Sequence, residues 1–132
     1  MNVDFNDFPF QTESVNVITA FNVIEHIENP FHFIRESARV LKKEGILVFS
    51  VPNNESLWAR LNYMKNCNIT SYTLNNNHLT FFTRNIFKKI VLRKFKEINR
   101  IYGKGFVPRF SKIVMPPHQF FSKNVCYFLQ KI

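Results

Sequence analysis

The sequence predicts an α/β fold, and three observations carry that expectation. Residues 15–21 (VNVITAF) and 46–51 (ILVFSV) are short apolar runs rich in β-branched types, which read as strands buried on both faces. A segment of helical periodicity lies between them. Asn29 can cap that helix, and Pro30 is preorganised for its first turn. Strand, helix and strand in this order make a βαβ unit, whose two strands should be parallel.

In the helix, Phe31, Ile34, Ala38 and Leu41 fall on one face, with Arg35, Glu36 and Arg39 turned largely away. Lys42 and Lys43 are placed in its last turn, where cations suit the helix dipole, and Gly45 ends it. Pro52 and Asn53 stop the second strand. Residues 55–65 then read as a helix carrying the apolar group Trp58, Leu61, Tyr63 and Met64, expected as core packing, with a substrate lid as the alternative. Residues 66–77 are polar and loop-like. Thr83 can cap a helix reaching about residue 93, with Ile86, Phe87, Ile90 and Val91 as its apolar side. Residues 95–102 alternate as a strand, and residues 125–129 (VCYFL) form a last one. Between them, residues 104–123 mix Phe106, Phe110, Phe120 and Phe121 with Lys104, Arg109, Lys112 and Lys123, and read as a basic, aromatic arm or excursion.

The 132 residues suit one domain, and 45% hydrophobic content argues against disorder throughout. A net charge of +9 raises the question of an anionic partner. The charges are scattered, however, and Lys, Asn, Ile and Phe share AT-rich codons, so composition drift accounts for much of it. Nucleic-acid binding is therefore not expected. Cys67 and Cys126 have no paired spacing, which argues against a disulfide framework and points to a reducing, cytoplasmic setting. No apolar run has the length of a transmembrane helix. The four histidines show no regular ligand spacing, so no metal site is expected.

Four stretches, in order and on the right elements, resemble class I S-adenosylmethionine-dependent methyltransferases of the type 11/type 23, ubiquinone-biosynthesis-like branch. The first is residues 4–10 (DFNDFPF) followed by 14–18 (SVNVI). The second is residues 22–27 (NVIEHI) with Pro30 after them, similar to a Val-Leu-Glu-His segment and a proline. The third is residues 39–45 (RVLKKEG) running on to 50–53 (SVPN), similar to Arg-Val-Leu-Lys-Pro-Gly-Gly and a later Pro-Asn. The fourth is residues 78–83 (HLTFFT), similar to a His-x-x-x-Phe-Thr segment before a large helix. Asn16 stands where the family has Asp, and Lys43 and Glu44 where it has Pro and Gly.

The resemblance implies a Rossmann-like sheet, S-adenosylmethionine as cofactor, and methyl transfer to a small or lipid-like acceptor. Asp4 and Phe5 would flank the adenine, and Asn22 and Val23 would lie near the methionine part. His26 would be the base, with Glu25 orienting it or contacting substrate, and His78 and Phe81 lining the acceptor pocket; some quinone-type relatives use a divalent cation at the counterpart of Glu25. By residue type alone, His26 is a polar loop residue, and His78 with Phe81 is packing before a capped helix. The family's first strand, Gly-x-Gly-x-Gly loop and second-strand acid all fall before the counterpart of Asp4, whereas the glycines here are Gly45, Gly103 and Gly105. The expectation is thus a partial, N-terminally truncated methyltransferase domain over residues 1–132. Its 15–21 strand would be an open edge where a partner chain could pair, and its affinity for cofactor would be reduced. The alternatives are a non-catalytic interaction module or methyltransferase remnant and, third, a basic nucleic-acid binder.

Overall fold

The computed structural model describes residues 2–69, 71–107 and 110–132, with the side chains of residues 105–115 outside the description. Its main sheet has four strands in the order β1-β2-β6-β3. They are β1 (Val15–Phe21), β2 (Leu41–Pro52), β3 (Phe95–Tyr102) and β6 (Asn124–Lys131), with a two-stranded ribbon, β4 (Gly105–Val107) and β5 (Phe110–Met115), beside them. The helices are α1 (Pro30–Val40), α2 (Leu57–Asn66) and α3 (Arg84–Ile90). β1 and β2 are parallel, as the βαβ reading requires, while β6 is antiparallel to both β2 and β3. Among the described residues, no helix is long and apolar enough to cross a membrane.

β2 is the centre of the fold. Flanked by β1 and β6, it buries every residue from Leu47 to Pro52. Alternation puts Leu47, Phe49 and Val51 on one face. Phe49 meets Phe87 of α3 at 6.2 Å and Tyr127 of β6 at 5.4 Å, and Phe87 stacks on Tyr127 at 4.5 Å. Thr83 caps α3 as expected, its side chain accepting from the Ile86 amide. Val91 is fully buried beyond the end of α3, whereas Ile86 is exposed.

Several expectations are corrected. β1 has the predicted bounds and the edge position that the resemblance implies, but it is not buried on both faces: only Ala20 is buried, and Val17 and Phe21 are 53% and 56% exposed. α1 keeps its cap, Asn29 Oδ1 accepting from the His32 amide, but ends at Val40. There the amides of Glu13 and Ser14 take the carbonyls of Arg39 and Val40, and Leu41 joins the β ladder opposite Val15. Lys42 and Lys43 therefore lie outside the helix. Residues 42–45 bulge out of the ladder, which resumes at Val17 and Ile46. Glu44 takes the left-handed turn at φ 64°. Gly45 instead answers a close approach, since a Cβ there would meet Lys42 O at 2.9 Å and Asn16 O at 3.1 Å.

The apolar face of α1 also differs. Phe33 is buried and Phe31 is 44% exposed, while Glu36 is buried. Glu36 accepts from the Phe8 amide and pairs with Arg39, whose guanidinium also donates to Phe8 O and Phe10 O. This clip holds the N-terminal segment against α1. In α2 only Ala59 is buried; of the predicted apolar group Trp58 is partly buried, while Leu61, Tyr63 and Met64 are exposed, so the expected core packing fails for those three. The described part of residues 104–123 comprises the β4–β5 ribbon and a limb that returns to β6. Asn53 fixes its returning limb by donating from its side chain to Gln119 O and Ser122 O, and Leu57 N bonds Phe120 O. The side chains of Phe106, Arg109, Phe110 and Lys112 lie outside the description.

Candidate functional site

The carboxyl ends of parallel strands are where α/β folds place ligands. Two loops leave the sheet on that side, one after β1 and one after β2. Asn22 ends β1 in the left-handed region at φ 52°. Its amide donates to Ser50 Oγ at 3.0 Å, and Ser50 Oγ donates back to Asn22 Oδ1 at 3.2 Å. A short 3-10 turn, Ile24–His26, follows. Ile24 is fully buried and anchors the turn, which brings Glu25 inside at 1% exposure.

Four hydrogen bonds staple this turn to residues 77–80, more than 50 positions along the chain. The Leu79 and Thr80 amides both donate to Glu25 O, at 2.7 and 3.0 Å. Thr80 Oγ1 donates to Ile27 O at 2.6 Å, and His26 Nδ1 lies 3.1 Å from Asn77 O. A carbonyl oxygen only accepts, so His26 Nδ1 carries its hydrogen and Nε2 of the neutral ring keeps its lone pair.

The staple assembles a polar cluster. The His26 and His78 rings meet edge to face at 4.6 Å, and one donor atom each from Glu25, His26 and His78 lie within 4.8 Å of one another. Glu25 Oε2 and His78 Nδ1 are buried without a hydrogen-bond partner. Tyr72 closes the far side, its ring 5.4 Å from His78 and its hydroxyl donating to Thr80 O at 2.6 Å. Burial raises the Tyr72 phenol above its usual range; an Asn54 hydrogen bond lowers it, and the Glu25 carboxylate adds to the rise. The phenol thus stays protonated at neutral pH.

The structure brings Glu25, His26 and His78 together. Phe81 follows by ring contact with Tyr72 at 5.7 Å. Asp4 lies on a separate segment and accepts from the Asn29 amide at 2.9 Å, tying the N-terminal stretch to the start of α1. Phe5 is 67% exposed, Asn22 is exposed and Val23 is half-buried against the core. The sequence reading missed Tyr72 and Asn54, which lie in stretches taken as polar loop, and no local pattern marks them. Spacing along the chain does not register that His78 reaches Glu25 and His26 through tertiary contacts.

Two cavities adjoin Asn54. One of about 480 Å³ is mainly apolar, formed by Ala59, Tyr63, Met64, Ile69 and Phe81 with Arg60. The other, about 320 Å³, lies beneath α3 between Phe87, Arg100, Tyr102 and Tyr127. There Arg100 is paired with Glu97 and sits 4.8 Å from the centre of the Tyr127 ring. Burial raises the Tyr127 phenol to about 12.

Residues 2–94 match the family described as a methyltransferase domain. A protein of Mycobacterium tuberculosis named as a probable S-adenosylmethionine-dependent methyltransferase is 42% identical over 53 residues, covering 40% of this chain and 19% of its own length. A SAM-dependent methyltransferase from Thermotoga maritima superposes with a TM-score of 0.70 at 21% identity, over 96% of this chain and 60% of that one. One from Archaeoglobus fulgidus gives 0.62 at 12% identity, over 92% and 62%. The chain thus spans about a fifth of the curated relative it matches and about three-fifths of these structures.

Proposed function

From a chain that belongs to the methyltransferase-domain family, we propose that it serves S-adenosylmethionine-dependent methyl transfer to a hydroxyl-bearing acceptor, small or lipid-like. The observation that carries this reading is the Glu25–His26 turn at the carboxyl end of β1, with a buried, unpartnered carboxylate oxygen beside an oriented imidazole. Asn22, exposed beyond the same strand and held by Ser50, suits the donor's methionine part. Val23 shapes the turn by accepting the His26 amide at 3.0 Å. Asp4 and Phe5 are assigned to the adenine side, Phe5 offering an open ring face and Asp4 fixing the segment. When bound, S-adenosylmethionine supplies a sulfonium methyl for in-line displacement.

The chain's own residues align and deprotonate the acceptor. His26 Nε2 is the proton-accepting atom, because Nδ1 is committed to Asn77 O. Glu25 stabilises the imidazolium that forms, and His78 and Phe81 position the acceptor. An apolar tail fits the 480 Å³ cavity beside Phe81. The exposed edge of β1 is assigned to pairing with a further strand, of this protein or of a partner. The test is equilibrium dialysis with labelled donor, followed by methyl transfer to a panel of phenols and lipid-tailed hydroxyl compounds. His26→Ala should keep donor binding and lower the rate by about 10²–10⁴-fold. A rate unchanged by that substitution would remove the base assignment, and absence of transfer to every acceptor would remove the reading.

A further inference from the structure

We propose that the cavity beneath α3 is a binding site for a small aromatic anion, a flat ring system carrying a carboxylate or phosphate group. The inference stands on the lining of this cavity and does not depend on methyl transfer. The cavity holds about 320 Å³, at the lower end of the range for small-molecule pockets. None of its lining residues belongs to the Glu25–His26 turn or to residues 77–81, and it shares only Asn54 with the apolar cavity beside Phe81.

One wall is built of rings. Phe49, Phe87 and Tyr127 pack on one another with centroids 4.5 to 6.2 Å apart, and Phe82 lines the cavity beside them. An aromatic body gains edge and face contacts with such a wall that an aliphatic chain does not.

The charged lining selects an anion. Arg84, Lys88 and Arg100 face two carboxylates, Glu55 and Glu97, so cations are in excess. The glutamates orient the guanidiniums. Glu55 accepts from Arg84 Nε and Nη2 at 3.0 and 2.5 Å, and Glu97 accepts from Arg100 Nε and Nη2, both at 2.8 Å. Each bidentate pair fixes one edge of a planar fork and leaves Nη1 for another acceptor. Arg84 Nη1 has no partner among the described residues, and Arg100 Nη1 donates to the Tyr102 hydroxyl at 3.3 Å. Donors therefore exceed acceptors around the cavity, and the carboxylates that would attract a cation are already engaged. Lys88, one turn beyond Arg84 on α3, forms no ion pair among the described residues. Arg100 is also held from the side, 4.8 Å from the centre of the Tyr127 ring, with its side chain 29% exposed. An arginine so sheltered from water attracts an anion more strongly than one on the open surface.

Binding is tested on the 132-residue chain by calorimetry with 2-naphthoate, 2-naphthyl phosphate, neutral 2-naphthol and inorganic phosphate. One aromatic anion per chain is expected, with 2-naphthol and inorganic phosphate each at least ~10-fold weaker. The tighter of the two aromatic anions identifies the head group. Amide NMR shifts should move at Phe87, Glu97, Arg100 and Tyr127 and stay unchanged at residues 24–27. Arg84→Gln, at a side chain 54% exposed, should weaken aromatic-anion binding about 10-fold, and Arg100→Gln should weaken it further. Lys89→Gln, on α3 but outside the cavity lining, should leave it intact. Circular dichroism reports whether each variant folds, and Arg84→Gln decides the matter if Arg100→Gln does not fold. Equal affinity for 2-naphthol, shifts centred on the Glu25–His26 turn, no binding at about 5 mM of either aromatic anion, or unchanged affinity in folded Arg84→Gln would each overturn the proposal. Because the readout is binding away from that turn, failure here leaves the methyl-transfer reading standing.

Discussion

Replacing Glu36 by Ala tests how the N-terminal segment, which carries Asp4 and Phe5, is held to the sheet. Glu36 is 7% exposed and accepts from the Phe8 amide at 2.9 Å and from Arg39 Nε and Nη2 at 2.9 and 2.7 Å. Arg39 in turn donates to Phe10 O at 2.9 Å and Phe8 O at 3.0 Å. Alanine leaves the Phe8 N–H without its partner, at about 1–3 kcal/mol for a buried donor. The Arg39 bonds are partly screened by water and are left out of this figure. For a chain of this size the loss corresponds to a fall in Tm of roughly 4–12 °C. Urea denaturation followed by circular dichroism measures it, and hydrogen exchange should show the amides of residues 8–13 opening first. Glu36→Gln, which can still accept from Phe8, should lose less. The hydrogen bond from Arg39 holds the Glu36 carboxyl below its usual range, against the opposing effect of burial. A depressed carboxyl contributes stability that is complete above its unfolded value of 4.5 and fades as pH falls through the lower folded value. The advantage of wild type over Glu36→Ala should therefore shrink as pH falls below 4.5, down to the part that a protonated Glu36 keeps by accepting from the Phe8 amide. A difference under about 0.5 kcal/mol at pH 7, or one that persists undiminished at pH 2, would refute the clip.

Two further substitutions probe the elements that position the site. Gly45→Ala should destabilise by about 1–3 kcal/mol, because the added Cβ meets the rigid carbonyls of Lys42 and Asn16 at 2.9 and 3.1 Å; a neutral result in urea denaturation would show that the bulge gives way. Thr80→Val keeps the shape but loses the 2.6 Å bond to Ile27 O, so about 0.5–1.5 kcal/mol should go. Faster exchange should then be confined to the Leu79 and Thr80 amides, and global opening instead would show that the staple supports the whole fold.

The sequence by itself determined the elements whose signals are local. β1 and β3 have their predicted bounds because apolar alternation and β-branched types act within a few residues. Asn29 and Thr83 cap their helices because the bond to an amide three residues on depends only on the adjoining backbone. The Glu25–His26 pair stood out through the family resemblance, since by residue type alone His26 is a polar loop residue. Tertiary structure decided the rest. α1 stops at Val40 because residues 13–15 and β1 capture the chain there, a competition that helix periodicity does not register. Glu36 is buried because a distant amide and a neighbouring guanidinium satisfy its charge. Tyr63 and Met64 of α2, which looked like core, lie exposed beside a cavity. His78 and Tyr72 join Glu25 and His26 only because backbone bonds fold a polar loop onto the end of β1. Capping and alternation are interactions between sequence neighbours, whereas the site is made by contacts across more than 50 residues, which no local pattern encodes.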